Sequence, residues 1–551
     1  MTNHTQAIPK KVSLVNTIKN KLTTPSHWLC FLSGFLLVFA YAPFSYWWLA
    51  LILPSIILYQ IRNATPRAAA KKMALFAFGW FSSGISWVHV SIDQFGGLPL
   101  VFSLLLMLAL CAYLALFPAL AGYLTAKITR NKHVNLWFFP SVWLLCEYLR
   151  SVVLTGFPWL SLGYSQIDSP LASFAPVIGE VGLTGIVLLL NICWVKIYCY
   201  CCAHLANVDS TSCPDLANKG NQNTQVMVKR SAKHLALPLV LAITIMLTSV
   251  ALHQVNWTVL TGKSAKVALV QGNVAQSIKW RPEQEWPTML KYLDLTRLNY
   301  DADIIVWPES AIPALEPAVQ DYLTSVNSSA MLNNSAVITG LINYNFESKE
   351  YFNALIVLGK KNSEDNIGYH YNHSNRYYKS HLLPIGEFVP FQELLRPIAP
   401  FFNLPMSSFT PGEYVQPNLV ANNLHILPLN CFEIAFPAQL AANLTNDSDM
   451  ILTVSNDAWF GDSHGPHQHF EIARMRALEF GRPLVRATNN GVTGIINHLG
   501  EVSAIAPQFK EVVLRGTVEF VSGDTPYSQW PNLLLALMIF IPLTLMKYCK
   551  C

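Results

Sequence analysis

Asp303-Ile-Ile-Val-Trp307-Pro308-Glu309-Ser310 is a short apolar run stopped by a proline and followed at once by a carboxylate. Its pattern reads as a buried strand; Pro308 ends the ladder and turns Glu309 toward whatever the strand end faces. Similar runs recur at Lys266–Gln271, Ala336–Gly340, Ala354–Leu358, Met450–Val454 and Leu484–Thr488, separated by helical stretches near 285–300, 315–327 and 467–480. Strands alternating with helices predict an α/β domain, placed here at 255–526.

The rest of the chain is of another kind. Of 551 residues, 52% are hydrophobic and only 13% charged, with a mean hydropathy of +0.32, which excludes an ordinary soluble protein. Apolar runs near 28–44, 46–61, 73–91, 99–126, 135–153, 173–195, 235–254 and 531–547 each approach the ~20 residues that span a bilayer. They predict eight transmembrane helices, seven in an N-terminal membrane domain at 1–254 and one in a C-terminal segment at 527–551.

Positive residues in short loops mark the cytoplasmic side. Lys10, Lys11, Lys19 and Lys21 precede the first run, Arg62, Arg67, Lys71 and Lys72 follow the second, and Lys127, Arg130 and Lys132 follow the fourth. Lys196, Lys219, Lys229, Arg230 and Lys233 separate the sixth from the seventh, and Lys547 and Lys550 end the chain. Both termini are therefore expected in the cytoplasm and residues 255–530 outside it. The outer stretch holds 18 Lys and Arg against 26 Asp and Glu, so it is acidic while the membrane part is basic. Ala40-Tyr41-Ala42 mimics the end of a signal peptide, but Pro43 and a second apolar run follow immediately, so the first helix reads as uncleaved. The polar stretch 203–234, which holds Cys213, reads as a cytoplasmic linker.

Of eleven cysteines, only Cys431 falls in the outer stretch, which leaves it without a disulfide partner there. The Cys199-x-Cys201-Cys202 cluster abuts a helix end and lacks a second ligand pair, so no metal is read from it; Cys549 and Cys551 lie at the cytoplasmic end. Cys431 ends an apolar strand and leads into Phe432-Glu433. Tyr377-Tyr378-Lys379-Ser380-His381-Leu382 sets a lysine among aromatic and aliphatic neighbours. A thiol with an ordinary pKa near ~8.5 needs a base to attack a carbonyl, for which Glu309 is the candidate. Lys379 supplies a positive charge for the thiolate and the later oxyanion, and the Phe432 N–H is a natural second oxyanion donor.

In order and context, W-P-E-S, then Y-x-K-x-H-L-x-P-x-G-E, then a strand running into C-F-E resembles the carbon–nitrogen hydrolase (nitrilase) superfamily over residues 266–520. That resemblance implies an α-β-β-α sandwich and a Glu309–Lys379–Cys431 catalytic triad. With the membrane part, the whole chain resembles the apolipoprotein N-acyltransferases, through Leu154–Tyr164, Gln271–Trp280, Asn456–Ser463 and Ala473–Glu479. This implies a bacterial inner-membrane enzyme with its catalytic domain in the periplasm. It would move the sn-1 acyl chain of a phospholipid to the N-terminal amine of a diacylglyceryl-cysteine apolipoprotein, in ping-pong fashion, through a Cys431 thioester. No metal or organic cofactor is required and no nucleic acid is involved; a monomer is expected. The family often has tyrosine where this chain has Phe432, so that hydroxyl is absent here.

Glu387 and Glu433 are further acids expected to orient Lys379 and balance charge. The resemblance also implies that Trp280 and Trp459 line the active-site cavity. Ala399–Met406 with Phe409 reads either as a lid dipping toward the acyl region or as a core-packing loop. Glu147 and Arg150 share a helical face and read either as a lipid-headgroup contact or as a structural pair. His464, His467 and His469 suggest zinc by type, but the chemistry needs none. Two rival functions remain: a membrane-tethered nitrilase-type amidohydrolase, which would use water as acceptor, and a transporter, which leaves the outer domain without a purpose.

Overall fold

The computed structural model describes residues 25–128, 134–211, 233–384, 386–388 and 409–545. Two six-stranded sheets form the α/β part. The first runs in the order β12-β1-β2-β3-β4-β5, with β1 Val259–Gln271, β2 Ile304–Val306, β3 Ala336–Asn345, β4 Glu350–Gly359, β5 Arg376–Tyr378 and β12 Val512–Ser522. The second runs β11-β10-β9-β8-β7-β6, with β6 Leu419–Ala421, β7 Leu424–Asn430, β8 Met450–Ser455, β9 Leu484–Thr488, β10 Gly494–Ile496 and β11 Val502–Ile505. Each sheet has a parallel centre, β1-β2-β3 and β7-β8-β9. These are the strands whose unbroken apolar runs are legible in the sequence, because strands covered on both faces need no polar alternation.

The inner faces meet through Val267, Ile304, Ile338, Val357, Leu452 and Val485, all fully or almost fully buried. The outer face of the first sheet is covered by helices Pro282–Arg297 and Gln320–Leu332, which bring Met289, Tyr292, Leu323 and Val326 onto Ile305, Trp307 and Ile356. The outer face of the second carries helices Pro437–Asn443 and Gly465–Phe480, and is continuous with the core of the helical part. The layers are thus α-β-β-α.

Helix Gly465–Phe480 explains how the two parts hold together. All but His467 and Arg474 of its residues are buried, although its sequence is polar, because it lies between the sheet and the helical region. Its polar side chains bond across the boundary. Gln468 accepts from the indoles of Trp87 and Trp159 at 3.2 and 2.8 Å, and Glu471 accepts from the Ala42 N–H at 3.1 Å. Arg476 pairs with Glu479 and bonds Tyr164, with Glu180 at 3.9 Å, and Arg474 pairs with Asp168 at 2.6 Å.

Of the eight apolar segments, four form helices long and apolar enough to cross a membrane: Leu100–Ile128, Leu136–Thr155, Pro170–Cys202 and Leu235–His253. The third segment, expected at 73–91, is a pair, Pro66–Gly84 and Val88–Phe95, bent by 57°. The remaining three are shorter apolar helices, Pro25–Ala40, Trp47–Ile61 and Pro531–Thr544. The first two are short because the chain turns between them at Tyr41–Tyr46 through Pro43 and Ser45, the latter at φ +56°. Phe102, Leu105, Leu116, Leu247 and Val250 are more than half exposed on these helices, an apolar surface suited to lipid. Cys213, Cys549, Cys551 and Lys10–Lys21 lie outside the described residues.

Candidate active site

Glu309 follows β2, Lys379 follows β5 and Cys431 follows β7, so all three come from strand ends. Cys431 takes φ +57°, a left-handed conformation that a β-carbon makes costly by roughly 1–2 kcal/mol. The chain turns here from the end of β7 into the short helix Cys431–Ala435. Ser310 takes φ +49° after Glu309. β3 passes close beneath this turn at Gly340, where a β-carbon would stand 2.6 Å from the Ser310 nitrogen and 2.9 Å from Glu309 Cα, so only glycine fits.

The charged groups meet. Lys379 Nζ lies 3.5 Å from Glu309 Oε1 and 2.8 Å from Glu387 Oε2. Asn353, on β4, donates through its one amide nitrogen to both carboxylates at 2.9 Å and accepts from Asn430, the residue before the cysteine, at 2.9 Å. The Asn456 N–H donates to Glu309 Oε2 at 3.0 Å. Glu309 and Lys379 are both buried. The Ser455 hydroxyl oxygen stands 3.3 Å from Cys431 Sγ.

Burial opposes the charge of Glu309, but Lys379, the Asn353 amide and the Asn456 N–H outweigh it and hold the carboxyl below its ordinary pKa. Burial likewise opposes the ammonium of Lys379, and Glu387 with Glu309 outweighs that and raises it. Cys431 keeps part of its surface open, yet desolvation pushes its thiol well up, Glu309 pushes it further, and Lys379 pulls only partly back. The resting site therefore holds a carboxylate, an ammonium and a protonated thiol. Proton transfer from a raised thiol to a depressed carboxyl is uphill, so a free thiolate does not accumulate. For this thiol to act as a nucleophile, its deprotonation would have to be drawn forward by attack on a carbonyl and stabilisation of the resulting oxyanion.

Glu433 has no direct contact with Lys379. Its Oε1 accepts from the Ser380 and His381 N–H groups at 2.8 and 3.0 Å and from Gln439 at 2.8 Å; its Oε2 accepts from the Asn430 N–H at 2.7 Å and the Tyr377 hydroxyl at 2.8 Å. It fixes the backbone around the lysine to the backbone around the cysteine, whereas Glu387 is the acid that holds the ammonium. Phe432 packs on Phe157, Trp159, His381 and Phe436, with ring centroids 5.0–6.4 Å away, and so ties the cysteine turn to the loop after helix Phe139–Val152.

A cavity of about 710 Å³ opens beside this cluster, between the α/β part and three apolar helices. Ser380, His381 and Phe436 line it from one side; Val152, Ile178 and Leu535 line it from the helices. Phe409 lines it as well, while Ala399–Met406 lies outside the described residues. Of the two tryptophans, Trp459 packs edge-on against Phe95 at 5.5 Å, and Trp280 lies under the Lys279 ammonium at 5.6 Å. Arg150 pairs with Glu147, bonds the Phe157 carbonyl and donates to the Trp159 carbonyl at 2.8 Å, while Glu147 also lines the cavity. His464 and His469 bond the carbonyls of Gly84 and Cys431 at 3.0 and 3.1 Å.

Two polar residues of the cluster escaped the sequence reading. Asn353 is a polar residue in mid-strand with no local motif. Lys279 is buried, its ammonium 3.4 Å from the Glu309 carbonyl oxygen. Desolvation lowers its pKa from 10.5 to about 8, against the pull of Glu309. Because the folded value lies below the unfolded one, the penalty on folding is full below pH 8 and gone above 10.5. Lys279→Met should therefore stabilise the protein at pH 7 by about 1–3 kcal/mol, with a smaller gain at pH 9.5, checked by thermal melting at the two pH values.

A six-stranded pair of sheets with carboxylate, ammonium and thiol at strand ends defines a carbon–nitrogen-hydrolase-type α/β domain, and residues 266–523 match the carbon-nitrogen hydrolase family. Residues 33–193 match the apolipoprotein N-acyltransferase N-terminal domain. The chain is 47% identical over 528 residues to the apolipoprotein N-acyltransferase of Shewanella oneidensis, covering 94% of this chain and 95% of the relative. It is 46% identical over 500 residues to that of Vibrio cholerae, covering 90% and 92%. The crystal structure of a nitrilase-superfamily member from Saccharomyces cerevisiae superposes with a TM-score of 0.35 at 13% identity, covering 53% of this chain and 97% of that one. The protein belongs to the apolipoprotein N-acyltransferase family, a family of acyltransferases.

Proposed function

We propose that the protein transfers the sn-1 acyl chain of a phospholipid to the N-terminal amine of diacylglyceryl-cysteine apolipoproteins, with Cys431 as the acyl carrier. The observation that carries this reading is the cluster of Glu309, Lys379 and Glu387 at the cysteine turn, in a chain with close relatives of that name. Glu309 takes the thiol proton as sulfur attacks the ester carbonyl, and Lys379 with the Phe432 N–H stabilises the oxyanion. The carbon–oxygen bond breaks, the proton passes from Glu309 to the leaving lysophospholipid oxygen, and a thioester remains. The incoming amine, losing a proton to Glu309, attacks the thioester; the carbon–sulfur bond breaks and the thiol is restored.

The largely apolar cavity beside the cluster suits an acyl chain arriving from the bilayer. The organisation that goes with this activity is a membrane part at 1–254, a periplasmic catalytic domain at 255–526 and a last crossing at 527–551, with both termini in the cytoplasm. The test supplies phospholipid labelled in the sn-1 chain together with a diacylglyceryl lipopeptide. Label is expected on the peptide amine; label released only as free fatty acid would mean that water is the acceptor and would refute the transfer.

A further inference from the structure

The sulfur has a second polar neighbourhood that the transfer scheme does not use. β7 and β8 are parallel, with Asn430 opposite Val454, which brings Ser455 beside Cys431. The Ser455 hydroxyl lies 3.3 Å from Sγ and 2.6 Å from Asp457 Oδ1, and Ser455 is fully buried. A hydroxyl has one hydrogen and two lone pairs, so it can donate to only one of these two atoms at a time.

Asp457 is anchored independently. Arg486 donates to its Oδ2 at 2.8 Å, and burial is outweighed by Arg486 in keeping Asp457 ionised. His469 is neutral, its pKa lowered by burial and then by Arg486. Its Nε2 faces the Cys431 carbonyl at 3.1 Å, an atom that can only accept, so the hydrogen is on Nε2. Nδ1 is then an acceptor, taking Arg486 at 2.9 Å, and the 3.1 Å approach of Nδ1 to Asp457 Oδ1 carries no hydrogen. Asp457 Oδ1, which Arg486 also reaches at 3.1 Å, keeps a lone pair to take the hydroxyl hydrogen of Ser455 while the sulfur is a thiol. The charges that act on the sulfur are Glu309 and Asp457, which oppose its ionisation, and Lys379, which favours it.

We propose that Ser455 is a further catalytic residue whose hydroxyl hydrogen turns from Asp457 to the sulfur as the thiolate forms, and back when the thioester removes the charge. The Ser455 O–H bond is never broken: the thiol proton goes to Glu309, and Ser455 only redirects its hydrogen bond. Asp457 tolerates the loss because Arg486 still holds it. The turn supplies what the lysine alone does not, a hydrogen bond to anionic sulfur inside a buried site, and it screens the sulfur from the Asp457 carboxylate.

The proposal rests on Cys431 as the nucleophile, but its test does not need transfer to occur. The rate of alkylation of Cys431 by iodoacetamide, followed on the Cys431 peptide by mass spectrometry between pH 7 and 9.5 in the full-length solubilised protein, reports thiolate directly. Ser455→Ala should slow alkylation about tenfold and move the profile to higher pH, since a hydrogen bond to a charged group is lost, and Ser455→Thr should return it toward wild type. An S455A profile that overlays the wild type, or a shift that S455T does not reverse, overturns the proposal. Failure of the acyl-carrier reading would appear elsewhere, as wild-type protein that never acquires an acyl chain on Cys431, and would leave this comparison legible.

Discussion

Glu309→Gln should reduce acyl transfer by about 10²–10⁴-fold while making Cys431 easier to alkylate. The two effects run in opposite directions because Glu309 acts on the thiol in two ways. At rest its carboxylate raises the thiol pKa; with glutamine, Lys379 and its pull toward thiolate face one carboxylate fewer. The carboxylate is the only described acid in contact with both the Lys379 ammonium and the Asn456 N–H, and in the proposed reaction it takes the proton as sulfur attacks. A residue that merely supported the fold would slow both reactions together. Side-by-side transfer assays and iodoacetamide kinetics on E309Q distinguish the two; parallel losses would remove the base role.

The acid side of the rate profile has a sign fixed by the same residues. As the proposed base Glu309 must be ionised, and its pKa lies below the ordinary carboxylate value of 4.5, while Lys379 stays charged beyond 10.5. Neither group therefore titrates in the neutral range, and the stability that Glu309 contributes is present above pH 4.5 and lost only as pH falls through its folded value.

What was legible in the sequence follows from locality. The buried central strands are continuous apolar runs, and Pro308 marks the end of one, so β2 and the carboxylate after it could be read from eight residues. Lys379 and Cys431 stand in similar local contexts. The residues that join them do not. Asn353 reaches Glu309 across 44 positions of sequence and Asn430 across 77, so its function exists only once β4 is in register. Lys279 lies in a stretch quoted for its likeness to a family, yet nothing local shows that it folds inward beneath Glu309. Helix Gly465–Phe480 reads as a polar surface helix by composition and is nearly all buried, because polar side chains such as Gln468 and Arg476 find partners in the connection after helix Phe139–Val152, Trp159 and Tyr164, rather than in water. The bend between Gly84 and Val88 escaped for another reason: the apolar run continues through it, and hydropathy carries no record of direction.

Cys431→Ala is the second change with a large expected effect. In the proposed scheme it removes the atom that carries the acyl chain, so transfer should fall to the background of the uncatalysed reaction, whereas the fold should survive, since the sulfur makes only one described hydrogen-bond contact, to Ser455. Alanine can hold the same turn at the cost that cysteine already bears at φ +57°. The central claim is a fatty chain carried on this sulfur between two lipids, and intact-mass measurement of purified protein after incubation with phospholipid alone tests it most directly. Wild type is expected to gain the mass of one fatty acyl group, released by hydroxylamine as a thioester requires, and C431A to gain none. An adduct of equal size on C431A, or none on an active wild type, would contradict it.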